Sequence, residues 1–289
     1  MNKLKFARGG ENTERWLGAK LVSVISGKGG VGKSVLAYNL AERISASDVR
    51  VLLVDTDFSC GSLHVLANQV CEYGIVEFAR KELSLEKAKT VLSDNLHLLP
   101  SPTVCTDRKF YDPKEATQLL MNLRQEGSDY DVIIIDHSSG ISEAAAAIVR
   151  TSDLNLITIV PELTSISDGY GLYKYLVKSG EIGHCQLLIN RVIAAEEAEN
   201  VRHKIGAITE RFLGRPLGCI GSVPENIAVR NSVASQIPIA QYDSNSKVSI
   251  ALSAMARAVV LELFKNKVKT DSIIEDSVNN EPAVADIRE

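Results

Sequence analysis

Short runs of Val, Ile and Leu recur along the chain, nearly continuous rather than alternating with polar residues, and longer stretches with helical spacing of apolar positions separate them. Unbroken apolar runs of strand length predict parallel strands buried on both faces. The runs fall at 21–26, 50–55, 96–99, 132–136, 154–160, 186–190 and 219–223, each with room for a crossover helix before the next. The pattern predicts an α/β fold: a doubly wound, mostly parallel sheet flanked by helices. Ligands in such folds sit beyond the carboxyl ends of the strands. One further helix, over 248–264, is apolar around most of its circumference, with Val248, Leu252, Met255, Val259 and Leu263 on one face and Ile250, Ala254, Ala258 and Leu261 on another. That pattern predicts a helix packed into the body of the protein.

The two ends differ from this body. Residues 1–20 carry five Lys or Arg against two Glu and read as a flexible basic arm, whereas 270–289 hold six carboxylates against one Arg and read as an acidic, disordered tail. The remaining 21–269 form the predicted domain. With 289 residues and 45% hydrophobic content, the chain can bury a core without disulfides or structural metals. Its five cysteines (Cys60, Cys71, Cys105, Cys185 and Cys219) are scattered, with no Cys-x-x-Cys pair, and read as reduced thiols of a cytoplasmic protein. No apolar run reaches the ~20 residues that span a bilayer. A net charge of -4 argues against a general nucleic-acid-binding surface.

Candidate chemistry concentrates after the first run. Gly27-Lys28-Gly29-Gly30-Val31-Gly32-Lys33-Ser34 has the spacing G-x-x-x-x-G-K-[ST] between a predicted strand and a predicted helix. Glycines let backbone N–H groups converge on one centre at a helix N-terminus, which favours phosphate. Lys33 is placed to reach the β- and γ-phosphates of a nucleotide, and the Ser34 hydroxyl to ligate Mg²⁺. Asp55, Asp57 and Asp136 stand at the ends of apolar runs, which puts carboxylates at the ligand edge of the sheet. Asp136 resembles a Walker B carboxylate, which implies a hold on Mg²⁺, direct or through water, and Gly140 resembles a switch II glycine, which implies an N–H that senses the γ-phosphate. His64 and His137 read as ordinary polar neighbours.

Lys28, a second lysine at the head of the loop, makes it resemble the deviant Walker A motif K-G-G-x-G-K-[ST] of the MinD/ParA ATPases. The resemblance covers roughly 20–262, and it implies ATP-dependent homodimerisation in which Lys28 reaches the partner's ATP. It also implies that Asp57 orients the attacking water, that Asp55 lies on the Mg²⁺ side, and that Asn190, Arg191, Pro224 and Glu225 form the base pocket. Cofactors on this reading are ATP or ADP with Mg²⁺. The stretches IIIDHSSGIS and VPELTSISDGYGLYK look most like the flagellar-number regulators of the FlhG (FleN, YlxH) group. That implies a slow, dimer- or partner-stimulated ATPase switch controlling flagellar placement or number, with an FlhF-like GTPase or flagellar switch components as partners.

The N-terminal motif D-Q-A-x-x-L-R of that group is missing from 1–20, and Ser62-Leu63-His64 stands where the family usually has N-[LIV]-D. Two alternatives share the fold: a ParA-like partition ATPase, which needs a basic stripe for DNA, and a MinD-like division-site regulator. Redox relatives are disfavoured by the cysteine spacing. Lys265, Lys267 and Lys269 after the long helix imply at most weak peripheral contact with the inner face of the membrane, opposed by the acidic tail.

Overall fold

The computed structural model describes residues 18–58, 60–102, 112–180 and 182–278, with side chains described as far as Lys265. Cys105, most of the basic arm, Lys267, Lys269 and the tail beyond 278 lie outside the described residues or side chains. The elements run β1 (Lys20–Ile25), α1 (Lys33–Ser45), β2 (Val51–Asp55), α2 (Leu63–Leu66), α3 (Ile75–Ala79), α4 (Leu85–Ala88), β3 (Thr90–Ser93) and β4 (Leu96–Leu99). They continue with α5 (Pro113–Glu126), β5 (Val132–Asp136), α6 (Glu143–Thr151), β6 (Leu154–Ile159), α7 (Leu163–Lys178), β7 (His184–Val192), α8 (Ala195–Leu213), β8 (Gly218–Pro224), α9 (Ile227–Ala234), α10 (Ile239–Tyr242) and α11 (Lys247–Val278).

Every residue of β2, β5 and β6 is buried, as unbroken apolar runs require of central parallel strands. The eight strands form one sheet in the order β3-β4-β2-β5-β1-β6-β7-β8, parallel throughout except where β3 pairs antiparallel with β4. The doubly wound, mostly parallel sheet expected from the pattern is therefore the observed fold. Helices α1 and α11 cover one face; α5, α6, α7 and α8 cover the other. From β1 the chain leaves through α1 toward β2, and from its neighbour β5 it leaves through α6 toward β6. The chain thus leaves these adjacent strand ends to opposite faces of the sheet, α1 crossing over β5 and α6 over β1, and this is the switch point at which such sheets bind ligands.

Two features differ from the pattern-based expectation. Strand β3 was not predicted, because its four residues alternate between half-buried and exposed and form the outer arm of a hairpin at the sheet edge. Helix α11 packs by one face only. Val248, Leu252, Met255 and Val259 are buried against α1 and β8, whereas Ile250, Ala254 and Leu261 face outward, because nothing covers the helix on its far side among the described residues. The helix also continues past the start of the acidic segment at 270, to Val278, after a break in helical geometry at Phe264. No helix among the described residues is long and apolar enough to cross a membrane.

Candidate functional site

The loop 27–32 links β1 to α1, and its glycines are set by close approach and by backbone conformation. A side chain at Gly27 would meet the carbonyl oxygen of Asp168 in α7 at 2.6 Å, so the loop lies directly on that helix. Gly32 is the N-cap of α1 with φ of 90°, in the left-handed region, and no side chain caps the helix. The first-turn N–H groups of α1 consequently have no intrahelical or capping acceptor and form a ready anion site. A Cβ at Gly32 would also stand 2.5 Å from Asn190 Nδ2. Gly32→Ala is expected to weaken nucleotide binding ~10-fold or more, since forcing an L-residue into this conformation costs roughly 1–2 kcal/mol before the clash is counted. Titration with a fluorescent ADP analogue measures it.

Lys33 Nζ lies 2.7 Å from Asp136 Oδ1, with the two side chains 7% and 1% exposed. Burial raises the Asp136 carboxyl above its ordinary range; Lys33 and a hydrogen bond from Ser34 pull it back, and Asp57 adds a further upward push. Ser34 and Asp136 therefore meet beside Lys33, within reach of the Asp57 charge, as hard oxygen donors of the kind that would suit Mg²⁺. Among the described residues, no three His, Cys, Asp or Glu gather as an all-protein metal cage.

Asp55 pairs with Asp136 in the β2–β5 register and is fully buried. Its carboxylate accepts from the backbone N–H of Asp57 at 3.0 Å, Ser62 at 3.0 Å and Leu63 at 3.1 Å. Asp55 thus shapes the loop that presents Asp57 and holds the start of α2. Burial and the neighbouring Asp136 push its carboxyl up to about 7, while those three N–H groups pull the other way. Asp57 is half-buried and accepts from Cys60 N–H at 3.0 Å. His137 is buried, and desolvation followed by Lys33 draws its imidazole down to about 3.

These shifts have opposite consequences for stability. Between about pH 4 and 7 the folded chain keeps the Asp55 proton that the unfolded chain has released, so this group makes stability fall as pH rises. Between about pH 3 and 6.5 the unfolded chain holds a His137 proton that the folded chain excludes, so that group makes stability rise. Urea unfolding between about pH 4 and 6.5 is expected to give a flatter profile for the parent than for either variant. Asp55→Asn should expose the rise and His137→Gln the fall.

Lys28 does not turn into the loop's own centre. Its Nζ bonds Glu162 Oε2 at 2.9 Å and Thr164 Oγ1 at 3.1 Å, at the N-terminus of α7, and the ion pair lowers the Glu162 carboxyl. Gly140 N–H donates to Ser26 O at 2.9 Å, so in this conformation it faces β1. On the other side of the loop, Asn190, Arg191, Pro224 and Glu225 all line one pocket of about 660 Å³ that reaches Gly32, with Val35, Leu36, Ile227 and Leu252 as apolar walls. That volume lies within the range of small-molecule sites. Asn190 Nδ2 also donates to Val31 O at 2.7 Å, fixing the loop to β7. Arg191 has φ of 57° and stands 3.8 Å from Glu225 at the rim.

A family model described as an AAA domain matches residues 19–181. The antiactivator FleN of Pseudomonas aeruginosa is 26% identical over 240 residues, 83% of this chain and 86% of FleN. The septum site-determining protein MinD of Bacillus subtilis is 27% identical over 247 residues, 83% of this chain and 89% of that protein. The chain belongs to the MinD/ParA family of ATPases. A solved relative, Pyrococcus horikoshii MinD in complex with Mg-ADP, superposes with a TM-score of 0.69 at 22% identity, covering 83% of this chain and 96% of that one.

The sequence reading placed its candidate residues along one edge of the sheet, and the structure has them there. It did not foresee that Glu162 and Thr164 hold Lys28, that Asp55 serves the backbone around Asp57, or that His137 is bonded into the core. No local signal marks these contacts. Lys28 and Glu162 are 134 positions apart, and only the placing of α7 beside the loop makes them neighbours.

Proposed function

We propose that this protein is an ATP-driven dimerising switch that controls the placement or number of a cellular structure, the flagellum first among them. The observation that carries the reading is the convergence of Lys33, Ser34, Asp136 and Asp57 beside an anion-binding helix terminus and a base-sized pocket. The loop N–H groups bind the phosphates and Lys33 exchanges Asp136 for phosphate oxygens. Ser34 and Asp136 would hold Mg²⁺, with Asp55 behind them, and the ion would supply positive charge against that of the phosphates. Asp57 orients a water in line with the γ-phosphoryl group. The O–P bond to ADP breaks as the new O–P bond forms, and orientation supplies most of the acceleration. Asn190, Arg191, Pro224 and Glu225 receive the base.

Dimerisation through this edge is supported by its surface. Leu163, Ile193 and Ile227, at or just beyond the ends of β6, β7 and β8, are 84%, 85% and 65% exposed, an apolar rim around the nucleotide site beside Lys28. We place the weak peripheral membrane contact of this cytoplasmic protein on the outward stripe Ile250, Ala254, Arg257, Leu261 and Lys265 of α11. The flagellar assignment, with an FlhF-like GTPase or switch component as partner, rests on the FlhG-like stretches and on FleN. The similar match to MinD favours septum placement as the second reading.

Light scattering coupled to size exclusion tests the switch: a monomer in ADP–Mg²⁺ for the parent and a dimer in ATP–Mg²⁺ for Asp57→Ala is the expected result. One mass in both states overturns it. Deletion of the gene, with flagella and septa counted per cell, separates the two readings.

A further inference from the structure

His137 follows Asp136 where β5 ends, and the chemistry above makes no use of it, yet both its backbone and its ring are tied to β1. Its backbone N–H donates to Val24 O at 3.2 Å. Its Nε2 lies 2.9 Å from Ser23 Oγ, which lies 2.8 Å from Ser152 Oγ, which in turn donates to Ile148 O at 3.1 Å. The proton order along this chain is set from its far end. A carbonyl only accepts, so the Ser152 hydrogen points at Ile148; Ser23 then donates to Ser152, and His137 donates to Ser23 through Nε2–H. One ring thereby joins β5, β1 and the end of α6 inside the core.

Three residues on, Gly140 is held to β1 by its own N–H on Ser26 O at 2.9 Å. For that N–H to meet a phosphate it must leave Ser26, and the segment 138–140 must turn about its fixed end. A small, partly open pocket of about 30 Å³ lined by Thr56, Phe58, His137, Ser138 and Ser142 leaves space beside the start of the segment.

We propose that His137 is a positioning residue, the pivot that keeps Asp136 in register with β1 while residues 138–140 swing between Ser26 and the nucleotide. The inference rests on the ATPase reading above. If the tether is cut, the nucleotide still binds through the loop and the base pocket, but the segment is held less well for turnover. The loss therefore falls on kcat.

The test is steady-state ATP hydrolysis by the full chain, alongside ADP binding and thermal unfolding, for His137→Ala, His137→Gln, Ser23→Ala and the Ser23→Ala/His137→Ala pair. His137→Ala is expected to lower kcat ~10-fold with KM for ATP within about twofold, the scale of a small misplacement near the reacting centre. His137→Gln, whose side-chain amide can again donate to Ser23, should recover most of that loss. Ser23→Ala, on β1 and outside the nucleotide site, should repeat it, and the double variant should be no slower than His137→Ala, because both changes cut one tether. If His137→Ala does not fold, the comparison of Ser23→Ala with the parent carries the test. Unchanged kcat in the folded variants, losses that multiply in the double variant, or a loss confined to KM would each overturn the pivot. A parent chain without ATPase activity would instead overturn the reading beneath it.

Discussion

Lys33→Ala is expected to reduce ATP turnover at least ~10³-fold and to destabilise the fold by roughly 3–5 kcal/mol, the range found when one partner of a buried ion pair is removed. The activity loss follows from the place of Lys33 in the phosphate loop, and the stability loss from its 2.7 Å contact with Asp136, both side chains being almost wholly buried. Burial already raises the Asp136 carboxyl against the pull of Lys33, so without the lysine the carboxyl is left to take up a proton or to remain charged without its main partner. The two losses have different remedies. Lys33→Met combined with Asp136→Asn removes both charges and is expected to regain most of the stability in urea unfolding while remaining inactive. A single Lys33→Ala variant as stable as the parent would show that the pair contributes little to the fold.

The same pair shows how far the sequence could be read. Lys33 was legible because a strand, a glycine loop and a helix in that order leave few other uses for a lysine at that spacing. Asp136 was legible as a charge ending the run VIIID, where only a compensating partner makes burial tolerable. That these two meet each other depends on β5 lying next to β1, and no local pattern states strand order. The apolar runs likewise revealed seven strands, since burial on both faces leaves a strong signature, whereas the half-exposed β3 left almost none. Helix α11 looked apolar all round, yet its position on the outside of the sheet buries only one face. His137 read as a bland neighbour because its partners Ser23 and Ser152 become its partners only through the sheet.

Lys28→Ala is expected to remove the ATP-dependent dimer while leaving ADP binding and thermal stability close to those of the parent. Stability should change little because Lys28 and Glu162 are 39% and 62% exposed, and solvent screens such a pair. Affinity for ADP should survive because Lys28 points to the N-terminus of α7 and away from the centre formed by the first turn of α1. Losing the dimer is then a statement about where Lys28 goes when two copies meet, and Glu162→Gln decides how to read it. If Lys28 acts on the partner's nucleotide, Glu162→Gln frees the lysine and the ATP dimer persists. If Lys28 instead matters by holding the start of α7, beside the exposed Leu163, then Glu162→Gln breaks the same contact and the dimer is lost in both variants. Light scattering with ATP–Mg²⁺ on the two variants, each carrying Asp57→Ala to limit turnover, distinguishes a lysine that crosses the interface from one that only braces it.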